Sequence, residues 1–126
     1  MKEPILIRET LLQGLLEACE THYPKEFFAL LSTREKGDPV IEEFVVVPTE
    51  FGFDHAVPRI DLLPVDDRII GTIHSHPNGI ASPSSADLDA FAGMGSVHYI
   101  ARNPFVEKNV RAFDAMGRKL EWKAVH

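Results

Sequence analysis

The chain has 126 residues, 44% of them hydrophobic and 25% charged, a composition typical of one globular domain, here expected to span residues 1–126. Its net charge is −6 without a run of Lys or Arg, which argues against nucleic-acid binding because such surfaces carry a basic stripe. The single cysteine, Cys19, excludes an internal disulfide. The sequence shows no secretory leader pattern and no apolar run near the ~18 residues of a membrane span, which predicts a cytoplasmic protein.

Hydrophobic periodicity predicts one helix and three strands in the first 47 residues. They are, in chain order, a strand at residues 5–7, a helix at 9–22, and strands at 25–33 and 40–47. The helix is amphipathic, and Pro24 ends it because the residue before a proline is disfavoured in helical conformation. Gly37 and Asp38 lie between the last two strands and are typical turn residues, which predicts a hairpin.

The second half begins with an irregular stretch, residues 49–64, interpreted as a loop. Within it we expect a short extended piece near 57–60 and a turn of helix at 62–67. The elements expected after it are a strand from residue 68 that ends at Pro77, a helix at 84–94, and strands at 97–102, 110–114 and 119–123. Strands and helices alternate around one mixed sheet, so the sequence predicts an α/β (α+β) fold with two main helices.

The strand that ends at Pro77 carries the first candidate site residues. Residues two apart on a strand project from the same face, so His74 and His76 point one way and Ser75 the other. Asp87 follows after a loop, in the first turn of the predicted helix. Two imidazoles and one carboxylate with a fourth position open are a common zinc set.

Each half of this pattern has a simpler interpretation. A His-x-His pair is often two hydrogen-bonded or exposed imidazoles, and Ser84-x-x-Asp87 is also a capping-box pattern that needs no metal. Both interpretations of Asp87 are compatible, because a capping box would hold its side chain rigidly in the first helical turn.

The joint pattern is more specific than its parts. His74-x-His76-Pro77, a loop, and then Pro83-Ser84-x-x-Asp87 resembles the motif of the JAMM (MPN-plus, Mov34/PAD-1-like) zinc metalloproteases, of a minimal prokaryotic or archaeal type. The resemblance covers essentially the whole chain and implies a curved mixed sheet with a packed helix, of cytidine-deaminase-like fold. The one departure noted is Ala81, at a loop position where several relatives have cysteine.

The resemblance implies roles for two further residues. Glu26, after the first helix and before an apolar strand, stands where the family carries its general base for the zinc-bound water; the alternative is an exposed acid at a strand edge. Ser84 resembles the serine that hydrogen-bonds the oxyanion, with helix capping as its alternative. His55 and His98 are interpreted as ordinary polar or satisfied residues. His22 lies near Glu26 in the sequence, and a supporting role there is an alternative without further support.

The family also implies a substrate class. JAMM enzymes cleave the amide bond after the C-terminal Gly-Gly of ubiquitin-like proteins, and some prokaryotic members act on small modifier or sulfur-carrier relatives. We expect one Zn²⁺ per chain and such conjugates as partners, with neither nucleic acid nor membrane. A slim, extended tail would have to reach the metal, and residues 49–60, with Phe51, Phe53 and Val57, are the expected edge for it, unless these side chains pack into the core.

Two other functions stay open. One is a non-catalytic scaffold of the same fold, which would bind no zinc. The other is a zinc hydrolase of small amides or unrelated peptides. A zinc deaminase is disfavoured because the chain lacks the Cys-x-x-Cys ligand pair of those enzymes.

Overall fold

A computed structural model describes residues 3–46, 49–51, 56–58, 66–79, 81–84, 87–88 and 93–126 of the chain. The elements in these residues are β1 (Ile5–Arg8), α1 (Glu9–His22), β2 (Phe28–Thr33), β3 (Val40–Val46), β4 (Thr49–Phe51), β5 (Ala56–Pro58), β6 (Ile69–His76), β7 (Val97–Arg102), a 3₁₀ turn (Glu107–Asn109), β8 (Val110–Phe113), β9 (Lys119–Leu120) and β10 (Trp122–Val125).

Eight of these strands form one mixed sheet in the order β10-β1-β3-β2-β6-β7-β8-β9. The central strand β2 is antiparallel to both β3 and β6, whereas β6 and β7 run parallel. β9 and β10 stand at opposite ends of this order, although Glu121 is the only residue between them. The sheet therefore curves until its two ends nearly meet, which gives an almost barrel-like sheet of the predicted α/β class.

One face of the sheet packs on α1. Ala29, Ile73 and Tyr99 are lateral neighbours on β2, β6 and β7, and they are buried in one cluster with Leu12 and Leu15 of the helix. Burial of this apolar stripe accounts for the helix, since helices in proteins are stabilised mainly by packing of an amphipathic face.

The other face carries the candidate ligands. Phe28, His74 and Ile100 are lateral neighbours one residue further along the same strands, so their side chains take the opposite face. The segment that follows β6 covers part of this face, since Ala81 and Leu88 pack against Ile100. A loop and a helix start are thereby held directly over the end of β6.

Most predicted elements are confirmed. The helix has the predicted bounds and the predicted amphipathic character, since one apolar face, which includes Cys19, is buried. The β2–β3 hairpin and the strand at 97–102 are also present, although β2 begins only at Phe28. Among the described residues there is no helix long and apolar enough to span a membrane.

One predicted strand is wrong. Residues 119–123 form two short strands, because β9 pairs with β8 while β10 pairs with β1 at the far end of the sheet. Part of the irregular stretch forms the β4–β5 hairpin rather than a loop. Val57 and Pro58, the described half of the extended piece expected at 57–60, lie in β5. Asp87 and Leu88 are helical, but most of the second predicted helix and most of the turn at 62–67 lie outside the described residues.

Candidate metal centre

The end of β6 brings two imidazoles together. His74 and His76 lie on the same face, and their Nε2 atoms are 3.0 Å apart. Ser75 takes the opposite face, where its Oγ accepts a hydrogen bond from the Phe27 amide at 2.7 Å and its own amide donates to the Phe27 carbonyl at 2.9 Å. These two hydrogen bonds to Phe27, the residue directly before β2, hold the end of β6 in place and hence fix the direction in which both imidazoles project.

Asp87 completes the group from the helix start. Its Oδ1 lies 3.2 Å from His74 Nε2 and its Oδ2 lies 3.1 Å from His76 Nε2. The side chains of His74, His76 and Asp87 are 8%, 16% and 18% exposed. A hydrolytic metal must also meet water and substrate, and such partial exposure is compatible with that requirement.

A capping box places the Asp87 carboxylate. The Ser84 amide donates to Asp87 Oδ2 at 2.8 Å, and the Asp87 amide donates to Ser84 Oγ at 3.1 Å. These two reciprocal hydrogen bonds form the capping box that the Ser84-x-x-Asp87 pattern predicted. The capping box coexists with the contacts of Asp87 to His74 and His76. A hydroxyl has one donor and two acceptor sites, so Ser84 Oγ can accept from Asp87 and still donate its proton elsewhere.

The electrostatics of the group keep Asp87 ionised. Burial acts to raise the pKa of its carboxyl, but hydrogen bonds from His74 and His76 outweigh burial and hold the pKa well below its ordinary value. An ionised carboxylate that faces two ring nitrogens matches the donor set of a divalent cation, which needs its ligands deprotonated.

The donor set fits zinc. Within the described part of the chain, one atom from each of the three side chains lies within 4.8 Å of the others, a group able to hold a metal ion. Two nitrogens and one carboxylate oxygen leave a fourth tetrahedral position open, as in hydrolytic zinc sites. Both imidazoles already face Asp87, so neither has to be reoriented to another face of the sheet to serve as a ligand.

Glu26 lies beside this group in the register of the sheet. The β2–β6 pairing ends at Phe28 and His74, and Phe27 is hydrogen-bonded to Ser75. Extension of the same antiparallel register by one more residue sets Glu26 opposite His76. Residues opposite each other in such a pair project from the same face. The half-buried Glu26 therefore flanks the candidate ligands from the β2 side.

Comparison with known proteins identifies the family. The family described as prokaryotic homologues of the JAB domain matches residues 8–116. The chain belongs to this family. The resemblance to JAMM and MPN-plus proteins that the motif predicted is thereby confirmed.

The relatives of this JAB-domain chain include a protein of Haloferax volcanii named "probable metalloprotease". It is 36% identical over 124 residues, which cover 92% of this chain and 76% of the relative. A JAB1/MPN domain protein from Archaeoglobus fulgidus has 29% identity and a TM-score of 0.77, covering 98% of this chain and 100% of that one. A structure described as a JAMM metalloprotease-like zinc site in the proteasome and signalosome has the same identity and coverages and a TM-score of 0.76.

Two other titratable residues of this JAB-domain chain, His98 and Cys19, are buried in the core. His98 is fully buried; the Thr72 hydroxyl donates to its Nδ1 at 2.8 Å and its Nε2 donates to the Gly95 carbonyl at 3.1 Å, so it is a satisfied core residue, as expected. Burial lowers its pKa from 6.5 to about 4. Burial also raises the pKa of the Cys19 thiol to about 12, which makes it a poor nucleophile.

His22, for which the sequence left a supporting role open, is not part of the centre. His22 bonds the Ala18 carbonyl through Nδ1 at 2.9 Å and packs on Phe27, whose side chain lies in the α1-side core. It therefore does not reach the face that carries the ligands. His55 lies outside the described residues.

Sequence reasoning passed over Arg102, which the structure places next to the ligands. It is the register partner of His76 on β7. The strand at 97–102 was predicted, but its parallel pairing with β6 was not. Only this long-range pairing shows that Arg102 lies beside His76.

Proposed function

We propose that this protein is a zinc-dependent metallopeptidase or isopeptidase that cleaves the amide bond after the C-terminal Gly-Gly of a ubiquitin-like modifier or sulfur-carrier protein. The observation that carries the proposal is the convergence of His74, His76 and Asp87 beside Glu26, in a chain of the JAB-domain family. The three convergent residues would hold one Zn²⁺ per chain. The name of the Haloferax volcanii relative supports a protease-like hydrolase.

Glu26 and Ser84 have separate tasks in this proposal. When bound, zinc supplies a lowered water pKa of about 7 and Lewis-acid polarisation of a carbonyl. Glu26 accepts a proton from the attacking water and delivers it to the leaving amine. The Ser84 hydroxyl donates to the oxygen on which negative charge develops. In balance, the water oxygen bonds the carbonyl carbon, the carbon–nitrogen bond breaks, and the products are a carboxylic acid and an amine.

The acyl side of the substrate would approach over β2 and β3. β1 pairs with β3 only at Val40 and Ile41, so on that side the rest of β3 has no strand partner among the described residues. This free stretch ends in exposed apolar residues, Phe44, Val45 and Val46, of 39%, 39% and 57% exposure. An extended tail could add to such an edge by backbone hydrogen bonds.

The sequence predicted the substrate edge at residues 49–60. This segment follows β3 in the sequence and includes the β4–β5 hairpin. Phe53 lies outside the described residues, so its contact with a tail remains part of the proposal. The Gly-Gly ending suits an approach in which the last residues before the scissile carbonyl must be slim.

Mutation of Glu26 tests the proposal. Zinc-loaded protein is incubated with a modifier-like peptide that ends in Gly-Gly joined by an amide to an amine. Glu26→Gln should keep fold and zinc content but lose activity by about 10²- to 10⁴-fold, the usual contribution of a general base. Glu20→Gln, an exposed carboxylate on α1, is the matched control.

Two results would overturn the proposal. Zinc-loaded wild type that cleaves no Gly-Gly amide would exclude the substrate class, and a wild type that binds no zinc and hydrolyses no amide would favour the scaffold function. Activity of Glu26→Gln within a few fold of wild type would move the base to another residue. Ser84→Ala should cost about 10²-fold in kcat if the hydroxyl serves the oxyanion.

A further inference from the structure

Arg102 occupies the side of the metal centre opposite Glu26. It pairs in register with His76, and parallel neighbours in a sheet lie about 4.8 Å apart with side chains on the same face. The alternation along β7 agrees, because Ile100 packs against Leu88 on this face while Tyr99 is buried on the α1 face. One lateral row therefore holds Glu26, His76 and Arg102.

The guanidinium of Arg102 has no protein partner within the described part of the chain, and the residue is half-buried. The arginines that pair with carboxylates there are Arg8, Arg34, Arg68 and Arg118. An arginine that is partly buried usually has a partner, because removal of its charge from water is costly. In a chain of net charge −6, a guanidinium beside candidate metal ligands that pairs with no described carboxylate is a candidate site for an external anion.

A second arginine strengthens the positive charge at this position. Arg111 stands opposite Ile100 on β8, which makes it the diagonal neighbour of Arg102 on the same face. Its Nη1 donates to the Lys108 carbonyl at 2.7 Å and to the Val110 carbonyl at 3.0 Å, both neutral acceptors, so its charge stays uncompensated by these bonds. Guanidinium groups match planar carboxylates and bind them by two parallel hydrogen bonds.

We propose that Arg102, with Arg111 beside it, binds a carboxylate on the leaving-group side of the substrate. This inference rests on the proposed function. The acyl tail is expected from the β2–β3 side, so the released amine lies over β7 and β8, where both arginines project. The preferred leaving group is then an amino acid or peptide whose carboxylate lies close to the scissile nitrogen, such as a single residue after Gly-Gly with its free α-carboxylate. Hydrolysis of this bond releases that residue as the free amine.

Two matched peptides test the proposal. Both end in Gly-Gly-Ala, one with a free α-carboxylate and the other with an α-carboxamide, which differ in charge but hardly in shape. Wild type should show a kcat/KM about 10- to 100-fold higher for the carboxylate, the range expected for a charge-assisted pair. In Arg102→Gln this ratio should fall close to one, and in Arg102→Lys it should be intermediate because charge remains but the bidentate geometry does not.

Arg34→Gln is the control, since Arg34 is an exposed arginine that pairs with Glu42 near the opposite end of β2. Its carboxylate-to-carboxamide ratio should equal that of wild type. A wild-type ratio near one, or a high ratio that persists in Arg102→Gln, would overturn the proposal while leaving the proposed function intact.

A binding measurement separates this inference from the proposed function. Zinc-loaded Glu26→Gln is titrated with the same two peptides and Kd is read by fluorescence anisotropy. If wild type cleaves neither peptide, the proposed function fails for this class, yet tighter binding of the carboxylate that disappears on Arg102→Gln still supports a carboxylate site. Equal Kd values for the two peptides overturn it.

Discussion

At the scale of single residues, Asp87 is both part of a helix cap and a candidate zinc ligand. Its Oδ2 accepts the Ser84 amide at 2.8 Å as part of a helix cap and also lies 3.1 Å from His76 Nε2. The cap orients the carboxylate by local hydrogen bonds that do not depend on a metal. A side chain already held in place loses less conformational entropy when an ion binds.

Replacement of Asp87 separates the two tasks. Asp87→Asn keeps an oxygen for the Ser84 amide but loses the charge, whereas Asp87→Ala loses both. Both variants should lose zinc, measured by elemental analysis after dialysis. Only Asp87→Ala should also lose about 1 kcal/mol of metal-free unfolding free energy, measured by urea denaturation, the usual value of a helix cap. Full zinc occupancy in either variant would remove Asp87 from the ligand set.

His98 predicts an acid-dependent loss of stability. Its folded pKa of about 4 lies below the ordinary 6.5, so between these pH values the unfolded chain binds more protons than the folded one. The free energy of unfolding should therefore fall as pH falls from about 6.5 to 4, by about 1–3 kcal/mol. Urea denaturation of the zinc-free protein across this pH range measures the loss.

His98→Gln serves as the control for this prediction. Glutamine can accept from Thr72 and donate to the Gly95 carbonyl but does not titrate. The variant should lose less stability on acidification than wild type. An identical pH dependence in both proteins would assign the acid sensitivity to other groups.

Residue positions within one strand were predictable, but partners across strands were not. The two-residue alternation was enough to place His74 and His76 on one face and Ser75 on the other. The position of Glu26 depends on an antiparallel register between residues about 50 apart along the chain, and its proximity to His76 was inferred only from the family resemblance. No local pattern links Arg102 with His76 either.

At the scale of elements, the turn between β8 and β9 supports the helix start that carries Asp87. Gly117 in this turn has a φ of +84°, and a Cβ there would meet Leu88 Cδ2 at 2.8 Å and Pro83 Cγ at 3.7 Å. Leu88 directly follows Asp87, so the turn and the ligand-bearing segment are in close contact.

Gly117→Ala should therefore weaken zinc binding. Gly37→Ala is matched to it, since Gly37 has a φ of +86° but no atom within 4 Å of the added Cβ. Both substitutions should lower unfolding free energy by about 1 kcal/mol through the left-handed backbone. Only Gly117→Ala should also raise the zinc Kd, measured by competition with a chromophoric chelator.

A second substitution shows whether contact with Leu88 causes the effect. Leu88→Ala removes the atom that the new Cβ would meet, so the double variant should regain much of the zinc affinity that Gly117→Ala alone loses. If both single glycine variants bind zinc as wild type does, the turn does not position Asp87.

Element prediction succeeded where the signal is local. The period of α1 and its ending near Pro24 were sufficient to place the helix. The run 119–123 has the apolar and polar alternation of one strand, but its two halves pair with strands at opposite ends of the sheet. The curvature of the whole sheet decides this division, and the sequence of five residues carries no information about that curvature.

At the scale of the whole molecule, the curved sheet holds the candidate metal centre between elements distant in sequence. The candidate ligands from β6 and from the helix start, with Glu26 before β2, meet only in the folded chain. A metal that binds these groups therefore binds the native state, and its binding free energy adds to stability.

Zinc should accordingly raise the melting temperature. At free zinc 100 times the Kd, the gain in unfolding free energy is about 2.7 kcal/mol, visible as a shift of several degrees by calorimetry. His74→Ala, which lacks one ligand, should show little or no shift at the same concentration. An equal shift in that variant would place the stabilising ion elsewhere on the protein.

The double hydrogen bond between Ser75 and Phe27 has a consequence for motion. It joins the backbone immediately after Glu26 to the residue between the two histidines, so thermal displacement of one carries the other with it. The distance between Glu26 and the two histidines should then fluctuate less than the position of either does relative to the rest of the molecule. The alignment that the proposed function requires would accordingly survive vibration of the sheet as a whole, and would be lost only when β2 and β6 come apart.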